Sequence, residues 1–286
     1  MTWWQAIVLG LVEGVTEYLP VSSTGHLILA AWLLGLHDPA HEASREAFEI
    51  VIQGGAILAV LGLYGARVVQ MLRGLVGRDT EGRRLLVNLV VAFLPAALTG
   101  PLLHHAIQAH LFRVGPVLAA LLLGGVWMIW LDRSQARAGH APTLGIEGLD
   151  WRHALGIGLF QCLAMWPGTS RSMMTIAGGT LLGMRPKEAA EFSFLLGLPT
   201  LGGACVYELA KNLQHAHQTG GANLFQELGA LPVALGIAVA TLSAALAVRW
   251  LVAFLNRHGL AAFGWYRIAL ALVFGGLALA GVLTIG

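Results

Sequence analysis

Gly10-Leu-Val-Glu13-Gly-Val-Thr-Glu17-Tyr-Leu-Pro20-Val-Ser22-Ser23-Thr24-Gly25-His26-Leu-Ile-Leu-Ala-Ala-Trp-Leu-Leu-Gly35 is the stretch that decides the fold. It holds two apolar arms, residues 3–19 and 26–36, separated by a run of Pro, Ser, Thr and Gly. Proline removes a backbone donor and ends a helix, whereas Ser and Thr cap the next one, so the run predicts a broken helical hairpin. Irregular backbone at membrane depth is tolerated only where it is buried in protein or lines a watery cavity.

Working outward, the membrane setting follows from composition. Of 286 residues, 57% are hydrophobic and 11% charged, with a mean hydropathy of +0.72; a water-exposed protein carries about 25% charged residues. Six stretches are long enough to span a bilayer, at 47–64, 85–103, 112–131, 189–210, 230–255 and 264–285. Their unbroken apolar character excludes an outer-membrane β-barrel, whose strands alternate. The expected class is therefore an all-α integral membrane protein, a single membrane domain over 1–286. A net charge of +2 does not argue for nucleic acid. Cys162 and Cys205 lie isolated in apolar segments, with no disulfide framework or metal spacing. The N-terminus has no basic region and its apolar run contains Glu13 and Glu17, so it does not read as a cleaved signal.

A second broken region, residues 152–166 and 173–184 around Pro167-Gly-Thr169-Ser170-Arg171-Ser172, resembles the first. Gly10-Leu11 recurs as Gly158-Leu159 and Leu33-Leu34-Gly35 as Leu181-Leu182-Gly183, both 148 residues on. With a one-residue slip between them, Pro20 pairs with Pro167, Ser22 with Thr169 and Ser23 with Ser170. The reading is an internal duplication with halves of approximately 1–140 and 150–286, each a broken re-entrant hairpin followed by three spans. An odd number of spans per half predicts an inverted-topology repeat whose hairpins enter from opposite faces. Charge sets the orientation. With the first hairpin entering from outside, cytoplasmic segments 65–84, 132–152, 185–188 and 249–267 hold 13 of the 17 Lys and Arg, against Arg45, Arg113 and Lys211 outside.

Ionisable residues inside a membrane segment are functional candidates. Glu13 and Glu17, four apart on one helix face, repel and need a divalent cation, a shared proton or an arginine. Ser22, Ser23 and Thr24 at a helix start offer hydroxyls and backbone donors for an anion. His26, three residues beyond Ser23, is near enough to help that hydroxyl or to attack by itself. In the second break Thr169, Ser170, Arg171 and Ser172 form a matching anion site, with Arg171 read as the one arginine deep in an apolar run; its planar fork suits phosphate. Two acids, a nucleophile, an imidazole and an anion clamp suit hydrolysis of a phosphoric anhydride. Glu49, Gln53 and Glu191 are weaker candidates, and His215 and His217 read as solvated loop residues. The rival reading is an inverted-repeat secondary transporter or flippase for a phosphorylated lipid, which would need the anion site but not the nucleophile.

Glu13-Gly-Val-Thr-Glu17-Tyr-Leu-Pro-Val-Ser-Ser-Thr-Gly-His26, with Pro167-Gly-Thr-Ser-Arg171-Ser, resembles the bacterial undecaprenyl-diphosphate phosphatase family associated with bacitracin resistance. Tyr18 stands where an aromatic partner is often Phe. The resemblance implies an inner-membrane enzyme that removes one phosphate from the C55 isoprenoid diphosphate, recycling the lipid carrier of peptidoglycan synthesis. It implies dependence on a divalent cation, Mg²⁺ or Ca²⁺, held by Glu13 and Glu17, and points by motif position to Glu13, Glu17, Ser23, His26 and Arg171 as catalytic. The expected partners are the polyprenyl diphosphate substrate and membrane lipid, with no nucleic acid; a homodimer is compatible with the sequence. The site is expected to open to the periplasmic or outer side.

Overall fold

The computed structural model describes residues 1–36, 42–111, 113–138 and 142–281. Among them are twelve α-helices: α1 (Trp3–Thr16), α2 (Ser23–Leu33), α3 (Glu42–Leu63), α4 (Gly65–Leu75), α5 (Thr80–Leu111), α6 (Val114–Ala138), α7 (Trp151–Leu163), α8 (Arg171–Leu181), α9 (Pro186–Thr219), α10 (Leu224–Leu228), α11 (Ala230–Leu255) and α12 (Ala261–Leu279). The only extended pairing among the described residues is an isolated bridge between Leu144 and Met184. Six helices, α3, α5, α6, α9, α11 and α12, are long and apolar enough to cross a membrane, and they are the six expected. The chain is thus an all-α, multi-pass membrane protein. Outward apolar side chains such as Leu102, Leu123, Leu242 and Leu272 belong to these helices and suit contact with lipid.

Two differences from expectation have plain causes. Helices α5 and α9 reach 32 and 34 residues, because residues at their ends, polar but helix-forming, continue the ladder beyond the apolar core. The segment from residue 65, expected only as a cytoplasmic connection between spans, contains α4, whose Val69, Leu72 and Leu75 are exposed on a helix that also carries Arg67 and Arg73. At 11 residues it is too short for a span-length window but long enough to be amphipathic. The end of the last expected span, 282–285, lies outside the described residues.

The helices on either side of the two breaks share a spacing. Helices α1 and α7 begin at Trp3 and Trp151, and α2 and α8 run over Ser23–Leu33 and Arg171–Leu181, each pair separated by 148 residues. Two non-glycine residues with positive φ, Ser22 at 75° and Ser170 at 76°, stand at that same separation, each directly before the second helix of its hairpin. By helix start and positive φ, Ser22 corresponds to Ser170 and Ser23 to Arg171, one residue off the pairing drawn from the prolines. Matching prolines by identity concealed a correspondence that the backbone preserves.

The described helices fall into two packing units, each taking pieces from both halves of the chain: residues 1–18, 23–63 and 197–249, and residues 19–22, 64–196 and from 250 onward. In the first unit, Ala6, Leu9, Phe48, Ile52, Leu224, Val233 and Ala240 build a buried cluster from α1, α3, α10 and α11. Helix α1 lies so close to α11 that a Cβ on Gly10 would overlap the Gly236 carbonyl, and one on Gly14 the Ala240 carbonyl. In the second unit α7 packs on α5 in the same manner, Gly158 against the Ala92 carbonyl, and α6 packs on α12 through the reciprocal pair Gly125 and Gly264. Small residues at such crossings let backbones approach, the usual basis of helix association in membranes.

Candidate active site

In the first unit, α1 carries both acids. Its start is fixed by a capping box between Thr2 and Gln5, and its end by the Glu17 N–H donating to the Glu13 carbonyl at 2.9 Å. Glu13 is fully buried and Glu17 is 7% exposed. Tyr18, also buried, donates its hydroxyl to the Ala56 carbonyl of α3 at 3.1 Å, which pins the chain just beyond the acids. Ser23 opens α2, and its Oγ donates to Glu17 Oε2 at 2.7 Å. A hydroxyl on a carboxylate at that distance is a charge-assisted bond and the arrangement of a nucleophile with its base. The group that accepts the Ser23 proton in this bond is the Glu17 carboxylate. His26 and Thr24 sit half-buried on the first turn of α2.

In the second unit, Ser170 caps α8 by accepting from the Met173 N–H. Its Oγ lies 3.0 Å from Ser172 Oγ, and Ser172 donates to the Leu19 carbonyl at 2.9 Å. A hydroxyl has one proton, so with Ser172's on Leu19 the proton between the two serines comes from Ser170. This relay ties the second break to Leu19, the residue before Pro20 in the first. Ser172, expected to bind phosphate, is fully buried and holds backbone instead. Arg171 donates Nη1 to the Ser193 carbonyl of α9 at 2.9 Å. Thr175, one turn on, donates to the Arg171 carbonyl at 2.8 Å and meets Ser193 Oγ at 2.6 Å. The guanidinium is therefore set by α8 and α9 together. Thr169 is buried in the turn before it.

The strained residues Ser22 and Ser170 each cost about 1–3 kcal/mol, a reservoir typical of functional turns.

Three contributors escaped the sequence reading. Thr175 stands four residues after Arg171 on one helix face, a spacing that could have flagged it. Ser193 carried no local signal. Arg267, counted among the cytoplasmic charges, is fully buried within α12 and hydrogen-bonds the Gly168 carbonyl at 2.8 Å. Placing the last span at 264 put Arg267 near its margin; the helix begins at Ala261. Arg171 is thus not the one arginine deep in an apolar run, and the charge split becomes 12 to 3. Two weaker candidates have structural partners: Glu49 pairs with Arg45, and Glu191 with Arg67, which also binds Glu147. Outside the spans, burial and then the Glu191 and Glu188 carboxylates push the Tyr64 phenol up to about 12.

The acids suit one kind of metal. Among the described residues no group of three His, Cys, Asp or Glu side chains converges as a cage. Two buried carboxylates on one helix face are instead the donor set of a hard cation held by one or two carboxylates and completed by water and substrate phosphate, as Mg²⁺ commonly is.

Comparison with known proteins fits this geometry. A family model described as bacitracin resistance protein BacA matches residues 6–273. An undecaprenyl-diphosphatase of Methylococcus capsulatus is 48% identical over 272 residues, covering 95% of this chain and 93% of its own. One from Sorangium cellulosum is 47% identical over 270 residues, 94% of this chain and 84% of its own, and one named undecaprenyl-diphosphatase 2 from Rhodospirillum rubrum is 45% identical over 269 residues, 94% and 92%.

Proposed function

The chain belongs to the bacitracin resistance protein family, and from that membership we infer that it is an undecaprenyl-diphosphatase, a membrane hydrolase that recycles the lipid carrier of the cell wall. The observation that carries the mechanism is the bond from Ser23 Oγ to Glu17 Oε2. Ser23 attacks the terminal phosphorus while its proton passes to Glu17. The bond between that phosphorus and the bridging oxygen breaks, and undecaprenyl phosphate leaves with the electron pair. Water then attacks the phosphoserine, passing its proton to His26, while Glu17 returns the proton it took to the departing Ser23 Oγ, which restores the hydroxyl and releases inorganic phosphate. His26, on the first turn of α2, supplies a proton to the leaving phosphate.

In the second unit Arg171 offers phosphate its two-donor fork, with Thr169 and Ser170 as further donors at the start of α8; in the first, Ser23 and Thr24 offer donors at the start of α2. Ser172 contributes by holding the turn. Glu13 and Glu17 are the carboxylates that would hold Mg²⁺ or Ca²⁺, and such an ion, when bound, neutralises phosphate charge and stabilises the departing oxygen. The residual excess of 12 cytoplasmic basic residues over 3 outside supports a site open to the periplasmic side of the inner membrane and an inverted second half.

The deciding experiment is phosphate release from a polyprenyl diphosphate by purified protein in detergent, with rapid acid quench and mass spectrometry of the peptide containing Ser23. A phosphorylated Ser23 is expected; turnover with an unmodified peptide at every quench time argues for direct attack by water. Excess chelator should suppress turnover and Mg²⁺ restore it, and full activity in chelator would remove the cation. For orientation, cysteines placed singly at 78 and 217 in a cysteine-free chain should react with an impermeant maleimide only after permeabilisation and in intact cells, respectively. The opposite pattern refutes it.

A further inference from the structure

We propose that Arg267 is a positioning residue whose guanidinium fixes the turn that presents Ser170 and Arg171 to phosphate; the inference rests on the phosphate-binding role assigned to that turn. Arg267 is the largest fully buried side chain of the described residues. Its Nη2 donates to the carbonyls of Gly168 at 2.8 Å and Ala120 at 2.9 Å, and its Nε lies 3.4 Å from the Leu121 carbonyl. Nη1 has no hydrogen-bond partner, and among the described residues the side chain forms no ion pair. Burying a guanidinium without a carboxylate is strongly unfavourable, and an apolar side chain of similar length would fill the space without that cost. Stability alone therefore does not account for it.

The three acceptors differ in what they need. Ala120 and Leu121 lie inside α6, where the helix ladder already engages their carbonyls. Gly168 lies outside any helix, at φ 91°, two residues before the strained Ser170. Its carbonyl has no ladder to join, and Arg267 supplies the bond. The guanidinium also occupies a place cleared for it: a Cβ on Gly124 of α6 would meet Arg267 Nη2 at 2.6 Å and the Met173 side chain of α8 at 3.0 Å. One cation thus joins α12, α6 and the turn before Arg171. Without it the turn relaxes toward an unstrained conformation, and Ser170 and Arg171 lose their presentation.

The test compares Arg267→Met, Gly124→Ala and Arg171→Lys with wild type, reading KM and kcat for a polyprenyl diphosphate, the inhibition constant of inorganic pyrophosphate, and the melting temperature in detergent. Arg267→Met should raise KM and the pyrophosphate constant together by about tenfold, the loss expected when one charge-assisted bond is no longer delivered, while melting shifts by less than about 5 °C. Gly124→Ala, which displaces the guanidinium without removing it, should raise both constants in the same proportion to each other but by less, and it decides the matter if Arg267→Met does not fold. A lower melting temperature with both constants unchanged makes Arg267 a packing residue and overturns the proposal. Silence of Arg171→Lys in the same assay overturns the underlying phosphate reading instead; weakened Arg171→Lys beside wild-type constants in both other variants overturns the inference alone.

Discussion

Replacing Glu17 by Gln leaves the shape of the site and an oxygen able to accept from Ser23, but removes the basicity that takes up its proton. General-base assistance is worth about 10²–10⁴ in rate, or roughly 3–5.5 kcal/mol of barrier. At 2.7 Å the Ser23 to Glu17 bond has the length of a coupled pair, so the loss should fall in that range. Ser23→Ala should fall at least as far, since it removes the attacking oxygen itself. Because the two residues act on one proton, the double variant should be no slower than about threefold below the worse single variant. The assay is initial phosphate release per mole of monodisperse protein at saturating substrate, with melting curves to confirm equal folding. If the two losses multiply, the residues act independently and Glu17 is not the base for Ser23. Wild-type turnover in Ser23→Ala would remove the nucleophile altogether.

Other expectations concern the clamp, the helix crossings and the ion network around Arg67. Arg171→Lys keeps the charge and loses the planar fork, costing about 2–3 kcal/mol in transition-state binding, seen as a fall in kcat/KM of roughly 30- to 150-fold. Gly158→Ala drives a methyl into the Ala92 carbonyl and should cost about 1–3 kcal/mol, whereas Gly203→Ala, with open space around it in mid-helix, should be neutral or stabilising by up to about 1 kcal/mol; melting in detergent separates them. The Arg67 guanidinium holds the Glu147 carboxyl below its ordinary value of 4.5, so its stabilisation is complete above that value and lost as pH falls through the lower folded one. With Glu147 largely exposed, Glu147→Gln should cost only about 0.2–1 kcal/mol at neutral pH, and the gap from wild type should close as pH falls through that lower folded value.

The class, the six spans and both breaks were legible because each rests on a strong local signal: long apolar runs, or proline and glycine where a helix must stop. The register between the two breaks was not, because Pro20 and Pro167 lie one residue out of step with the positive φ of Ser22 and Ser170. The acids Glu13 and Glu17, and Ser23, were named from sequence. Which group serves Ser23 was not, since residues 17 and 23 approach only when the chain turns back through Pro20. Ser193 is invisible in sequence for the same reason: it meets Arg171 across helices. Arg267 was misread because an arginine near a span's edge and one buried a turn inside it look alike until the helix start is known.

The exchange of partners at the helix crossings bears on how the chain is made. Helix α1 seats Gly10 on Gly236 of α11, and α7 seats Gly158 on Ala92 of α5, so the opening helix of each half is completed by a late or early helix of the other. Neither half contains its own counterpart. During synthesis, therefore, α1 enters the bilayer more than two hundred residues ahead of the helix it needs, and the Ala92 face of α5 is completed only once α7 is made. A chain cut in the segment between α6 and α7 should yield two fragments that are each unstable alone and active only when produced together.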